Sequence, residues 1–221
     1  QGYFSCVCCG NQDGEIWTIG NARPECGMYL PVGRNSLFEV ASISKLFTAS
    51  LAAILYCEGK LDIDAPFTDC LPEHILASEG TDITIRDIAS HCAGFGDGWF
   101  YGDLRSRRVY QTPETFRRGV LAARPVAKRR ERCRYACHNM ILLGYVIERV
   151  CGLDLDAAAK KYLWRPLAMN STTWRNIPGD GRVVQTYTSG AVEIGMKGDE
   201  KARVSDLPIG NAGVFTSLDD M

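Results

Sequence analysis

The chain has 221 residues, 46% of them hydrophobic and 23% charged, which suits a globular fold with its own core and excludes a mini-protein stapled by disulfides or metal. Lys+Arg 25 against Asp+Glu 26 leaves a net charge of −1, so no global field draws the chain to nucleic acid. The expected partner is a small-molecule or peptide substrate, and no membrane span is expected, because the longest nearly apolar stretch, Leu46 to Cys57, falls well short of the ~20 residues required.

Ten cysteines are the one departure from ordinary composition. Cys6, Cys8 and Cys9 lie in an apolar run, and Cys57, Cys70, Cys92 and Cys151 sit at irregular intervals among apolar neighbours. There is no pair of C-x-x-C motifs, and His74, His91 and His138 show no metal-ligand spacing to them. The expectation is free thiols used as small hydrophobes, with no metal and no cofactor. The N-terminus lacks both a basic segment and an initiator Met, so a signal peptide is expected to be absent or already removed.

Taken in chain order, Tyr3 to Cys9 and Glu15 to Ile19 read as two strands joined by a turn at Asn11-Gln12-Asp13-Gly14. A loop rich in Gly, Pro and Asn follows from Gly20 to Asn35. Ser42 to Glu58 carries apolar residues at helical spacing (Leu46, Ala49, Ala53, Ile54, Cys57) and stops at Gly59, which places Ser42 at or near a helix N-terminus. Thr84 is the expected N-cap of a short helix ending before Gly94, and Gly94 to Gly102 reads as loop. Met140 to Val150 is apolar on all faces and predicts a buried helix; Asp154 to Leu163 predicts another, ending before Pro166. Strands resume around Arg182 to Glu193. Strands, then a helical middle, then strands again predict a mixed fold with a helical insertion. Residues 105–134 hold eleven Arg or Lys against Glu114 and Glu131, which reads as a solvated helical surface or, alternatively, an anion-binding patch.

The chemistry centres on Phe38-Glu39-Val40-Ala41-Ser42-Ile43-Ser44-Lys45, the only S-x-x-K in the chain. A chain of this length holds about one S-x-x-K by chance, so the motif alone says little. Its placement at a helix start says more. Three residues is one turn, so the Lys45 ammonium and the Ser42 hydroxyl share a face, and the helix N-terminus favours an oxyanion there. A serine hydroxyl needs a base within hydrogen-bond reach. Lys45 can take the proton itself, or stay charged and favour ionisation of a nearby tyrosine, and neither route needs histidine. No G-x-S-x-G elbow suggests a Ser-His-Asp arrangement.

Beyond these residues, Leu61-Asp62-Ile63-Asp64-Ala65-Pro66, Ile83-Thr84-Ile85-Arg86-Asp87-Ile88-Ala89-Ser90-His91-Cys92-Ala93-Gly94, Leu142-Leu143-Gly144 through Pro166-Leu167-Ala168-Met169, and Gly210-Asn211-Ala212-Gly213-Val214-Phe215-Thr216-Ser217 follow in order. The chain thereby resembles the S-x-x-K serine hydrolases: class C β-lactamases, low-molecular-mass penicillin-binding proteins (D-alanyl-D-alanine peptidases) and related esterases. The resemblance implies an α+β fold of the β-lactamase/transpeptidase type, an antiparallel sheet with an all-helical lobe and the active site where they meet. It implies a single domain over 1–221, with N-terminal strands and loop over 1–40, a mostly helical lobe over 41–175 and a return toward the sheet over 176–221. By the same resemblance Ser42 attacks an amide, lactam or ester carbonyl to form an acyl-enzyme, and Lys45 and Tyr135 move its proton.

Two departures bear on this expectation. The family's Y-x-N register falls on Tyr135-Ala136-Cys137, so Cys137 stands where an asparagine would hydrogen-bond a substrate amide. No Lys or His is followed two residues later by Gly, so the family's K-T-G or H-x-G strand, which supplies a second oxyanion donor, has no counterpart in the chain. The chain therefore resembles the N-terminal two-thirds of a family member, with C-terminal strands missing or supplied by another segment or chain. The alternatives to a lactamase or peptidase are an esterase of the same fold and a catalytically impaired fragment or binding module. Localisation stays open, since free thiols suit a reducing interior and the resemblance points outside the cytoplasm.

Overall fold

A computed structural model describes residues 6–10, 16–22, 30–101, 112–179, 181–184, 186–188 and 191–221. The chain begins with β1 (Cys6–Gly10) and β2 (Ile16–Ala22), which pair antiparallel with Cys8 opposite Thr18. The expected turn at Asn11-Gln12-Asp13-Gly14 lies outside the described residues. β2 runs past the expected end at Ile19, and β3 (Leu30–Pro31) joins it at Asn21↔Pro31 and Ala22↔Leu30, inside the stretch expected to be loop. A two-residue strand with proline on a sheet edge has almost no local signal, and its partner strand defines it.

β4 (Phe38–Glu39) leads into a 3-10 turn, Ala41–Ile43, and then α1 (Ser44–Cys57). The helix ends at Glu58, and Gly59 follows with φ +69°, as its sequence position predicts. α2 (Ile85–Ala89) opens with a full capping box: Thr84 accepts from the Asp87 N–H, and Asp87 accepts from the Thr84 N–H. α3 (Gly98–Tyr101) is a single turn within the segment expected to be loop, and α4 (Pro113–Ala122) is started by Thr112 and Pro113.

α5 (Cys137–Cys151) is buried from His138 through Ile147, as its all-round apolar sequence predicts, and it closes on Gly152. α6 (Leu155–Ala159), capped by Asp154, continues as a π turn over Lys160–Trp164 before Pro166 stops it. β5 (Thr186–Thr188) and β6 (Ala191–Glu193) form an antiparallel pair where strands were expected; α7 (Glu200–Ser205), β7 (Phe215–Thr216) and a 3-10 turn at Leu218–Asp220 follow.

The architecture is α+β, with antiparallel strands beside a helical lobe, as the sequence implies. One hydrophobic core unites Leu51, Ala52 and Leu55 of α1 with Ile141, Leu142 and Val146 of α5 and with Trp164 and Trp174. Two pairings prepare the site. β4 and β7 pair antiparallel (Phe38↔Thr216, Glu39↔Phe215), so the residues just before Ser42 lie beside those just after Gly210-Asn211-Ala212-Gly213.

The other pairing is between loops. Val126 N–H donates to Gly94 O (2.9 Å), Arg130 N–H to Cys92 O (2.7 Å) and Arg134 N–H to His91 O (2.9 Å). This lays residues 126–134 along residues 91–94. Gly94 is required there: with φ +82°, an added Cβ would stand 2.2 Å from Ala127 O.

The described part of the basic segment, residues 112–134, resolves into ion pairs, and residues 105–111 lie outside the described residues. Arg117 meets Glu73 at 3.2 Å, which Arg149 of α5 also meets at 2.8 Å, Arg124 meets Glu79, Arg129 meets Asp82 at 2.7 Å, and Arg130 meets Asp87 at 2.6 Å. Acidic side chains from residues 73–87 thus pair with Arg117, Arg124, Arg129 and Arg130 of this described part, which fits the solvated-surface reading there better than an anion-binding patch. Most of these pairs are solvent-exposed and add little to stability. Among the described residues no helix is long and apolar enough to cross a membrane.

Candidate active site

Ser42 sits in the 3-10 turn ahead of α1, exposed to solvent, with Lys45 one turn on and only 6% exposed. The Lys45 Nζ donates to Ser42 Oγ at 2.9 Å, so the one-turn spacing read from the sequence becomes a direct hydrogen bond. The turn is held by Glu39, whose carboxylate accepts from the Ala41 N–H at 3.1 Å. Ala41 has φ +44°, a left-handed conformation costly for a residue with a Cβ and held here by the surrounding contacts. Burial pushes the Glu39 carboxyl above its ordinary value, although N–H donors from Ala41, Gly213 and Gly198 pull the other way.

The second anchor for Lys45 comes from the far end of the chain. Its Nζ donates to Asn211 O at 2.8 Å. Asn211 reaches that position because Gly210 packs between α1 and α5: a Cβ there would stand 2.0 Å from Met140 O and 2.9 Å from Thr48 Cγ2. Thr48 Oγ1 also donates to Gly210 O at 2.9 Å, and Ser44 Oγ accepts from the Val214 N–H at 3.1 Å. The Gly210-Asn211-Ala212-Gly213 motif is thus a backbone strap that carries an acceptor to the lysine.

Tyr135 approaches from the opposite side, 58% exposed, and its hydroxyl donates to Ser42 Oγ at 2.8 Å. The Lys45 ammonium lies 4.8 Å from the centroid of the Tyr135 ring, a cation–π distance. On its other flank Tyr135 meets His91, with ring centroids 4.9 Å apart. His91 Nδ1 faces the Ala136 N–H at 3.4 Å and Asn139 Nδ2 at 3.2 Å, which assigns its proton to Nε2. Burial, and then the Lys45 charge, hold His91 below its ordinary value, so the ring is neutral near pH 7.

Ser42, Lys45 and Tyr135 therefore converge on one oxygen. Cys137, the fourth residue singled out from the sequence, opens α5 and is half-buried; its N–H and that of His138 both donate to the Asp97 carboxylate at 3.0 Å. Burial pushes the Cys137 thiol up against the pull of the Lys201 and Lys45 ammonium groups, so a neutral thiol stands at this position. Glu39, His91, Asp97 and Asn211 were not singled out by sequence reasoning. His91 and Asn211 lie inside motif blocks that were read, but their roles depend on contacts with residues dozens of positions away.

Comparison with known proteins agrees with this geometry. A family profile described as Beta-lactamase matches residues 7–221. Escherichia coli (strain K12) has a relative named Beta-lactamase, 28% identical over 152 residues, covering 67% of this chain and 37% of the relative. Esterase EstB of Burkholderia gladioli is 26% identical over 234 residues, covering 91% of this chain and 59% of the esterase. Among solved structures, a class C β-lactamase from Rhodobacter sphaeroides superimposes with TM-score 0.70 at 25% identity, covering 94% of this chain and 55% of that one. A second class C β-lactamase structure, at 22% identity and TM-score 0.74, agrees in fold. The chain thus spans between about a third and three-fifths of the length of the curated relatives named here. With nearly the whole sequence matched by one family profile and a serine, lysine and tyrosine gathered on one oxygen, the chain belongs to the β-lactamase family.

Proposed function

We propose that this chain carries the acylation machinery of a serine hydrolase that attacks an amide, lactam or ester carbonyl through Ser42. The observation that carries the reading is the Ser42 Oγ within 2.8 Å of the Tyr135 hydroxyl and 2.9 Å of the Lys45 Nζ, at an exposed turn. As Ser42 Oγ bonds to the carbonyl carbon, its proton passes to the Tyr135 oxygen entering the step as phenolate, or to the Lys45 nitrogen entering it as the neutral amine, both at hydrogen-bond distance. The carbonyl oxygen becomes an oxyanion, which the Ser42 N–H and the positive end of α1 stabilise. Tyr135, facing the same oxygen, returns the proton to the departing amine or alcohol. Water then attacks the acyl-enzyme with the same pair as base, freeing the acid and restoring Ser42.

The esterase alternative rests on Cys137. A neutral, half-buried thiol is a weak hydrogen-bond donor and acceptor, so a substrate amide gains little from it, whereas an ester asks for nothing there. The likeness to the enzyme named Esterase EstB, over 91% of this chain, supports the same direction.

Labelling with a fluorescent penicillin and with a fluorophosphonate, followed by peptide mapping, tests the nucleophile. The expected adduct is on Ser42 and absent from Ser42→Ala; equal labelling of that variant overturns the proposal. Hydrolysis of nitrocefin against p-nitrophenyl acetate separates lactamase from esterase. If neither reagent labels or turns over while circular dichroism shows the fold intact, the chain is a binding module on this scaffold.

A further inference from the structure

We propose that Cys92 and Cys133 form a redox-sensitive pair whose oxidation to a disulfide ties the Tyr135 segment to the His91 loop. Both thiols lie on the same acceptor: Cys92 Sγ and Cys133 Sγ are each 3.5 Å from Ser90 O. The two sulfurs consequently lie within twice that distance of each other, although the residues are 41 positions apart in sequence. Both are free thiols, Cys133 exposed and Cys92 partly so.

The main chains are already aligned for a bridge. Arg134 N–H donates to His91 O at 2.9 Å and Arg130 N–H to Cys92 O at 2.7 Å, so hydrogen bonds bracket the pair on both sides. Disulfides need Cα atoms roughly 4.4–6.8 Å apart and sulfurs at about 2.05 Å. The Arg134–His91 hydrogen bond joins the residues adjoining the two cysteines, and rotation about χ1 with a small main-chain adjustment would bring the sulfurs together.

The position gives the bridge a consequence. Cys92 follows His91, whose ring lies against Tyr135, and Cys133 precedes Tyr135 by two residues. A covalent link there restrains both flanks of the tyrosine that contacts Ser42. The surroundings also select an oxidant class. Cys133 lies between Arg132 and Arg134, both exposed, and this charge attracts an anionic disulfide such as glutathione disulfide.

The step is thiol–disulfide exchange. The Cys133 thiolate attacks one sulfur of glutathione disulfide, forming a mixed disulfide and releasing one glutathione thiolate, which takes up a proton. The Cys92 thiolate then attacks the protein-side sulfur of the mixed disulfide, forming the Cys92–Cys133 bond and releasing the second glutathione. Two protein thiols are oxidised and one glutathione disulfide is reduced to two glutathiones.

The test is non-reducing peptide mapping of the 221-residue chain after exposure to glutathione disulfide, with cleavage after glutamate. Cleavage at Glu79, Glu114, Glu131 and Glu148 gives peptides 80–114, which holds Cys92, and 132–148, which holds Cys133 and Cys137. The expected product is the two peptides joined, lighter than their sum by two hydrogen masses, and separated again by dithiothreitol. Cys133→Ser must abolish it and Cys137→Ser must keep it; the reverse pattern overturns the proposal, as does preferential linkage to any other cysteine peptide. Amide hydrogen exchange across residues 130–136 should slow in the oxidised form, and an unchanged rate overturns the tie to the tyrosine segment. Neither readout involves hydrolysis, so the result is independent of the chemistry assigned to Ser42.

Discussion

Replacing Lys45 by methionine separates catalysis from stability. The lysine is 6% exposed and its Nζ makes two hydrogen bonds, to Ser42 Oγ and Asn211 O. Bonds from a charged donor contribute about 1.5–3 kcal/mol each, and burying the cation costs several kcal/mol after relaxation. The two nearly cancel. Methionine has similar volume, removes the desolvation cost and leaves Asn211 O without this donor, an orphaned acceptor worth about 1–3 kcal/mol. The variant should therefore stay within about 2 kcal/mol of the parent, a melting shift of no more than about 4–8 °C for a chain this size. Acylation should behave differently. A positioned proton-transfer group contributes about 10²–10⁴ in rate, and the ammonium next to Ser42 Oγ is lost with it. The assay is the rate of fluorophosphonate labelling at Ser42, with differential scanning fluorimetry on the same samples. Labelling within threefold of the parent, from a folded variant, would refute the assignment of Lys45 to proton movement. Loss of fold alongside labelling would refute the energetic balance.

Tyr135→Phe keeps the ring under the Lys45 ammonium and against His91 and removes only the hydroxyl, so labelling should slow by about 10²–10³ with the melting temperature nearly unchanged. Gly210→Ala places a methyl 2.0 Å from Met140 O, and the backbone strap must shift; thermal stability should drop by about 1–3 kcal/mol, and labelling should fall because Asn211 O leaves Lys45. Burial holds His74 at about 4 and His138 at about 3, below the ordinary histidine value of about 6.5. Between those values the unfolded chain takes up protons that the folded chain refuses. Each histidine's contribution is thus complete above pH 6.5 and falls by about 1.4 kcal/mol per unit as the pH drops toward 4. Urea unfolding midpoints at pH 7, 6 and 5 should decline accordingly, and His74→Asn should flatten the profile; an unchanged slope in that variant excludes His74 as a source.

Legibility in the sequence followed the range of the forces involved. The α1 boundary at Gly59, the Thr84 cap and the burial of α5 were readable because each depends on neighbours within a turn or two: a left-handed glycine, a side chain reaching three residues on, an apolar periodicity. The Ser42–Lys45 hydrogen bond was readable for the same reason, since one helical turn sets it. β3 was missed because two residues carry no periodicity, and α3 because a glycine-rich single turn looks like loop. Residues 112–134 of the basic segment are ambiguous in sequence because their partners Glu73, Glu79, Asp82 and Asp87 come from a different stretch of chain.

From residue order alone came the candidate nucleophile Ser42, the lysine one turn on, the tyrosine register and the family resemblance, because spacing and motif order are properties of a line. Contact across the fold decided the rest. Asn211 reaches Lys45 only because Gly210 lets the late strap pass between two helices, and His91 meets Tyr135 only because residues 126–134 lie along residues 91–94. The Cys92–Cys133 pair belongs to the same class. Irregularly spaced cysteines look like scattered small hydrophobes until main-chain hydrogen bonds bring two of them onto one carbonyl oxygen.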